Sequence, residues 1–278
     1  MSRRPRNKKP TTLVDVIIPV MNRFDILKDC LDALPEAMGD ITYQVYIFDN
    51  GSEKLDADLF YRSVGSGVQV HRCQMNIGFP RACNQTFRRG KSPLVFFLNS
   101  DVILEKGSVD KLVKKLDDPK VGVVGMKLVF PAFIDQQKAE IRMDIRPEHK
   151  LQHIGIVTGI RGDLKHTHVG WDADHPRVNA QDETMAVTGA ALMTRRFLFR
   201  DAGMFWEGYE MGTHEDVDLC LQIREMGYTV NVVPEAKDVH YTGATAEQYK
   251  VGFPLHRNYQ LFMQRWEGKL KQWDWRVL

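Results

Sequence analysis

The sequence predicts an α/β fold: a parallel sheet flanked by helices on both faces. Three observations predict it. Short runs rich in Val, Ile and Phe recur through the first half, segments with helical spacing stand between them, and the runs are continuously apolar. Continuous rather than alternating apolarity marks strands covered on both faces. With 278 residues, 43% hydrophobic and 27% charged, the chain can build one sizeable core. The expected organisation is a basic arm over residues 1–12, a single domain over 13–266 and a tail over 267–278.

The run VDVIIPV from Val14 is the first strand, and RFDILKDCLDALPEA follows with Phe24, Leu27, Leu31 and Leu34 on one helical face. YQVYIFDNGS is the second strand, ending in an Asp-Asn-Gly turn, and VQVHRC is the third. FPRACNQTFRRG reads as a short helix closed by Gly90, PLVFFLNSD as the fourth strand, GSVDKLVKKLDD as a helix, and VGVVGMKLVF as the fifth strand. After Phe130 the rhythm gives way to a long polar segment rich in histidine. Order returns with MAVTGAALMTRRFLF, with HEDVDLCLQIREMG and with YTVNVVPEA. In the second of these, Val217, Cys220, Leu221 and Arg224 share a face, so a helix starts at His214 to Asp216, its acidic residues matched to the positive helix end.

Composition excludes more than it assigns. A net charge of +2 does not imply a nucleic-acid or membrane partner, although MSRRPRNKKP carries only basic charge and could make peripheral contact with an anionic surface. No stretch has the apolar length of a signal peptide or a membrane span. The four cysteines, Cys30, Cys73, Cys83 and Cys220, form no CxxC pair and read as core thiols, which fits a reducing cytoplasm. The GSG at residues 65–67 precedes a strand, so it is no dinucleotide fingerprint. His149, His153, His166, His168 and His175 contain a single i, i+4 pair, His149 and His153, without the Glu of HExxH, so no zinc centre is expected.

Three polar clusters end strands or open helices: Asp49 with Asn50, Asn99 to Asp101, and His214 to Asp218. The carboxyl ends of parallel strands lie along one edge, so Asp49 and Asp101 are expected to share a crevice. Each alone could be a turn former or a helix cap. Three acids within four residues, Glu215, Asp216 and Asp218, exceed what capping needs.

Taken in order, VDVIIPVMNR, VYIFDNGS, NIGFPRACNQ, FFLNSD, VTGAALMTRR, HEDVDLCLQIREMGY and VPEAKDVHYTG resemble the motifs of family 2 glycosyltransferases of the GT-A fold, most closely the rhamnosyltransferase-like branch. The segment LQHIGIVTGIRGDLKHTHVGW resembles one found in a subset of those bacterial enzymes. The resemblance runs from about Leu13 to Trp266. It implies an inverting transfer of a hexose or deoxyhexose from a UDP- or dTDP-linked donor to a hydroxyl. The acceptor it implies is a glycan or glycolipid intermediate, with protein or modified nucleic acid as alternatives.

The chemistry fits the residue types. A nucleoside diphosphate leaves with accumulating negative charge, which a divalent cation can offset. The resemblance assigns Asp101 and His240 to a Mg²⁺ or Mn²⁺ ion, and the oxygen of Asp101 suits such hard cations. The family motif often has a carboxylate where this chain has Asn99, which implies metal binding that depends on bound donor. The resemblance places Pro19, Asn22, Asp49, Asn76, Gly78, Arg81, Asn99 and Ser100 at the nucleotide, Asp49 against the base and Arg81 toward the phosphates. An acceptor hydroxyl needs a base. That role falls by resemblance to Asp216, with Glu215 orienting the acceptor and Asp218 supporting the helix start. Rival readings are a nucleotide-dependent oxidoreductase, which the missing GxGxxG opposes, and a noncatalytic sugar-nucleotide-binding module, which the presence of Asp101, Asp216 and His240 opposes.

Overall fold

The computed structural model describes residues 13–131, 150–159, 163–242 and 252–270. The basic arm and His149 lie outside the described residues. The first half alternates as the sequence predicts: Val14–Val20 (β1), Phe24–Met38 (α1), Tyr43–Asn50 (β2), Lys54–Ser63 (α2), Val68–Cys73 (β3), Phe79–Phe87 (α3), Leu94–Leu98 (β4), Val102–Ile103 (β5), Ser108–Lys115 (α4) and Val121–Val129 (β6). The long middle segment contributes Leu151–His153 (β7), the hairpin Ile156–Thr158 (β8) with Leu164–His166 (β9), and Pro176–Asn179 (α5). Then follow Ala191–Arg195 (β10), Arg196–Asp201 (α6), Glu215–Glu225 (α7), Thr229–His240 (β11) and Leu255–Leu270 (α8).

The main sheet runs β3-β2-β1-β4-β10-β6-β11-β5, with β7 on the end of β6. The first four of these strands are parallel, but β10 runs antiparallel between β4 and β6, so the sheet is mixed. This corrects the expectation of a parallel sheet. Ala191, Leu192, Met193 and Thr194 are all fully buried, so β10 shows the same continuous apolar pattern as its parallel neighbours. That pattern reports burial and carries no direction.

Alternation along the central strands separates two cores, one on each face of the sheet. Ile17 and Phe97 point to a core with Phe199, Phe205, Leu221 and Phe262. Their neighbours Val16, Ile18, Phe96 and Leu98 pack with Leu27, Leu34, Leu112 and Met193. Burying a side chain of this size stabilises by about 1.5–3 kcal/mol. Cys30, Cys83 and Cys220 are buried free thiols, while Cys73 is half-buried on β3.

Two helices lacked a legible signal. α2 buries only Ala57, so its apolar stripe is faint. α8 buries Asn258, Phe262 and Trp266, one of them polar.

Candidate active site

The carboxyl ends of β1, β2 and β4 and the start of α7 surround a cavity of about 360 Å³. That is within the range of small-molecule sites. Three groups of side chains define it.

In the first, Pro19 lies near the end of β1 and Met21 just past it, Asn50 ends β2, and Asn76 lies beyond β3. Asn50 donates through Nδ2 to Asn76 Oδ1 at 2.8 Å and accepts the Ile77 amide at 2.8 Å. Gly78 donates its amide to Asn76 Oδ1 at 2.9 Å. Gly78 has φ +87°, and a Cβ there would meet the Met211 backbone nitrogen at 3.0 Å, so the close approach of two backbones requires glycine.

The second group is Asn99, Ser100 and Asp101. The buried run Val95 to Leu98 stops at Asn99 because the ladder with β10 ends there, with the Asn99 amide on the Ala190 carbonyl at 2.8 Å. The chain turns at once into β5, which pairs antiparallel with β11 so that Val102 faces His240. This register brings His240 Nε2 to 3.3 Å from Asp101 Oδ1. Gln152 of β7 lies within 3.0 Å of the other ring nitrogen, Nδ1, and fixes the orientation of the ring. Cis ligands on an octahedral cation with bonds of about 2.1–2.2 Å stand about 3 Å apart, so the Asp101–His240 pair fits one shared hard cation. Among the described residues no third His, Cys, Asp or Glu joins them. Two protein ligands, with remaining positions for phosphate oxygens and water, match the way Mg²⁺ is commonly held.

In the third, α7 presents Glu215 and Asp216 to the same cavity. Asp216 accepts the Gly189 amide at 2.8 Å on Oδ2 and the Val217 amide at 2.8 Å on Oδ1. Each oxygen keeps a lone pair for a further partner. Glu215 is 6% exposed and its Oε2 has no hydrogen-bond partner. Burial, reinforced by the charges of Asp216 and Asp218, pushes its pKa well above the usual carboxylate range. Burial thus favours the protonated form of Glu215, while both carboxylate oxygens of Asp216 accept backbone amides at the cavity wall.

The loop before α7 is strained. Met211, Gly212, Thr213 and His214 all have positive φ, at 62°, 129°, 83° and 71°. Such conformations at non-glycine residues persist only where surroundings impose them. Here Asn258 of α8 supplies the constraint: its Nδ2 donates to the carbonyls of Glu210 (3.0 Å) and Gly212 (2.6 Å) and to Thr213 Oγ1 (3.1 Å).

Four of the positions named from the sequence stand outside the cavity lining. Asp49 does not share the crevice with Asp101: it is fully buried, and its carboxylate accepts the Ser52 amide and Arg72 Nε, both at 2.9 Å. Its neighbour Asn50 faces the cavity instead, because successive strand residues point to opposite sides. Asn22 is a buried bracket between loops, donating its amide to Ser52 Oγ and accepting the Glu53 amide. Arg81 lies on the exposed side of α3, 3.6 Å from Glu207, and does not line the cavity. Asp218 does more than support the helix start: Tyr209, Gln222, Arg265 and Trp266 all donate to it, so it fastens α8 to α7. Pro19, Asn76, Asn99, Ser100, Asp101, Glu215, Asp216 and His240 are brought together, with Gly78 beside them. Thr188, Gly189 and Gln152 were not anticipated, and only the Asp216 and His240 contacts single them out.

With this geometry in hand, residues 15–199 match the family model described as glycosyl transferase family 2. The chain belongs to glycosyl transferase family 2. Among curated relatives, this family 2 chain is 26% identical over 243 residues to protein y4gI of Sinorhizobium fredii, covering 84% of the chain and 25% of that protein. It is 24% identical over 244 residues to the O-antigen biosynthesis protein RfbC of Myxococcus xanthus, covering 84% of the chain and 18% of the relative. The chain thus spans a quarter or less of these two proteins. Among solved structures it superposes on GalNAc-T7 with UDP, GalNAc and Mn²⁺, with a TM-score of 0.68 and 14% identity, over 95% of this chain and 50% of that one. The fold of this family 2 chain is GT-A.

Proposed function

We propose that this chain is an inverting glycosyltransferase that moves a hexose or deoxyhexose from a UDP- or dTDP-sugar to a hydroxyl, assisted by Mn²⁺ or Mg²⁺. The observation that carries the reading is one cavity lined both by a cation-fitting pair, Asp101 and His240, and by a carboxylate with lone pairs to spare, Asp216. The cation supplies positive charge to the departing diphosphate. Pro19, Asn50, Asn76, Asn99 and Ser100 enclose the nucleotide. Asp49 and Arg72 stiffen the wall behind them, and Arg81 stands at the rim. Asp216 accepts the acceptor's proton from the side opposite the leaving group, so the attack inverts the anomeric carbon. Glu215, buried beside Asp216, orients the acceptor.

The acceptor proposed is a glycan or glycolipid intermediate, in line with the O-antigen relative. Protein and modified nucleic acid are the alternatives. Among the described residues no helix is long and apolar enough to cross a membrane. A cytoplasmic enzyme with peripheral membrane contact through its basic arm is the setting proposed.

A thermal-shift screen against UDP, dTDP and GDP and their sugars, each with and without Mn²⁺, tests the reading. A ligand at about 100 times its Kd stabilises by roughly 2.7 kcal/mol. The expected result is a metal-dependent shift with one nucleotide, followed by turnover of its sugar. No shift with any of them, with or without metal, contradicts it.

A further inference from the structure

Outside the catalytic groups, the histidine-bearing segment that the sequence left without a role forms a defined pair. His153 of β7 is fully buried, and its Nδ1 lies 2.8 Å from Nδ1 of His166 on β9. His153 Nε2 lies 3.3 Å from the backbone nitrogen of Thr188. An amide can only donate, so His153 Nε2 carries a lone pair. Burial lowers the pKa of His153 well below the usual histidine range, so its one proton is on Nδ1 and is donated to His166. His166 Nδ1 is then the acceptor. With a lone pair on Nδ1, His166 carries its proton on Nε2, and burial shifts the pKa of the ring in the same sense, downward. His166 is exposed, and the one hydrogen bond of its ring among the described residues is the Nδ1 contact to His153.

The pair stands behind the cavity lining and is tied to Asp216 through it. Consecutive amides hold the two: Thr188 donates to His153 and Gly189 donates to Asp216. Both Thr188 and Gly189 line the cavity. His166 is near enough to Asp216 and to His240 to feel both charges, the first raising and the second lowering its pKa.

We infer that His166 positions the acceptor, its Nε2–H donating to a sugar oxygen beside the hydroxyl that Asp216 deprotonates, with His153 fixing the tautomer. The inference rests on the transferase reading above. His166 is no rival base, because Nδ1 is occupied and Nε2 already holds a proton. A neutral donor of this kind selects hydroxyl, ring or glycosidic oxygens. Zinc is not the occupant: the Thr188 amide takes the outer nitrogen of His153, and no third ligand stands near among the described residues.

The test uses the full chain as wild type, His166→Phe and His166→Gln, each shown folded by thermal unfolding. Long-range ¹H–¹⁵N correlation spectra read the tautomers directly. The expected result is Nδ1–H on His153 and Nε2–H on His166; Nδ1–H on His166 overturns the inference. Nucleotide release is then measured from UDP- and dTDP-sugars with water alone, and transfer with a panel of p-nitrophenyl glycosides. His166→Phe should keep water-only release within about twofold and raise the glycoside KM about tenfold or more, the scale of one lost hydrogen bond that leaves a polar partner unmet. His166→Gln, which can restore an N–H near Nε2, should recover most of that loss. A native glycoside KM in His166→Phe, or an equal loss of water-only release, overturns the acceptor role while the transferase reading stands. Wild type that releases nucleotide from no donor overturns both.

Discussion

Asp101 Oδ1 and His240 Nε2 stand 3.3 Å apart because the two-residue strand β5 pairs antiparallel with the end of β11. The Tyr241 amide donates to the Asp101 carbonyl at 3.0 Å and locks this register from the backbone. The proposed cation site is thus a consequence of strand pairing between distant segments, and its outer support is Gln152 of β7.

Gln152→Leu removes the partner of His240 Nδ1 while leaving both proposed ligands in place. Mn²⁺-supported UDP or dTDP binding should weaken by about 10-fold or more, the scale seen when a ligand's outer partner is lost. Calorimetry with and without Mn²⁺ checks this. Metal-free nucleotide binding should be unchanged.

The two acids at the start of α7 should respond oppositely to neutral isosteres. Asp216→Asn should bind donor and metal normally yet lose transfer by about 10²-fold or more, the usual contribution of a general base. Glu215→Gln should keep much of the wild-type rate, because burial already favours the neutral form of Glu215 in the fold. Steady-state rates at saturating donor decide between them. A severe loss in Glu215→Gln with native rate in Asp216→Asn would exchange the roles.

The same burial gives a pH signature in stability. The pKa of Glu215 is raised in the folded chain above its ordinary value of 4.5, so the folded state prefers the protonated form. Its contribution is fully present below pH 4.5 and is lost as pH rises through the raised folded value. Urea unfolding across pH 4 to pH 9 should show Glu215→Gln losing less stability than wild type at the alkaline end. Parallel curves would place the ionised carboxylate in the fold.

Asn258→Leu should release the strained loop from Met211 to His214, since three donated contacts are lost and two loop carbonyls are left short of a partner. A stability loss of about 1–3 kcal/mol is expected from denaturant unfolding. Because the loop lines the cavity, transfer should fall by more than the unfolded fraction explains.

Much of this was legible because local patterns carry it. Continuous apolar runs located β1, β2, β4 and β6, and polar residues just past Leu98 marked Asn99, Ser100 and Asp101 as a strand end facing a crevice. The antiparallel direction of β10 was hidden, because burial on both faces looks the same either way. Asp49 and Asn50 were indistinguishable as crevice residues until the pleat assigned Asn50 to the cavity and Asp49 to Arg72. α8 escaped because its key side chain is polar: Asn258 is buried for the loop it holds, not for its hydrophobicity. The His153–His166 pair depends on a hairpin between β8 and β9, and no spacing rule predicts which two of five histidines a hairpin will join.

Calorimetric titration of the matching nucleoside diphosphate into wild type and Asp101→Asn, each with Mn²⁺ and with metal chelated, tests the central claim most directly. The account predicts tight binding to wild type only with Mn²⁺, and a fall of at least about tenfold in Asp101→Asn that abolishes the metal dependence. Equal affinity in all four titrations would contradict it.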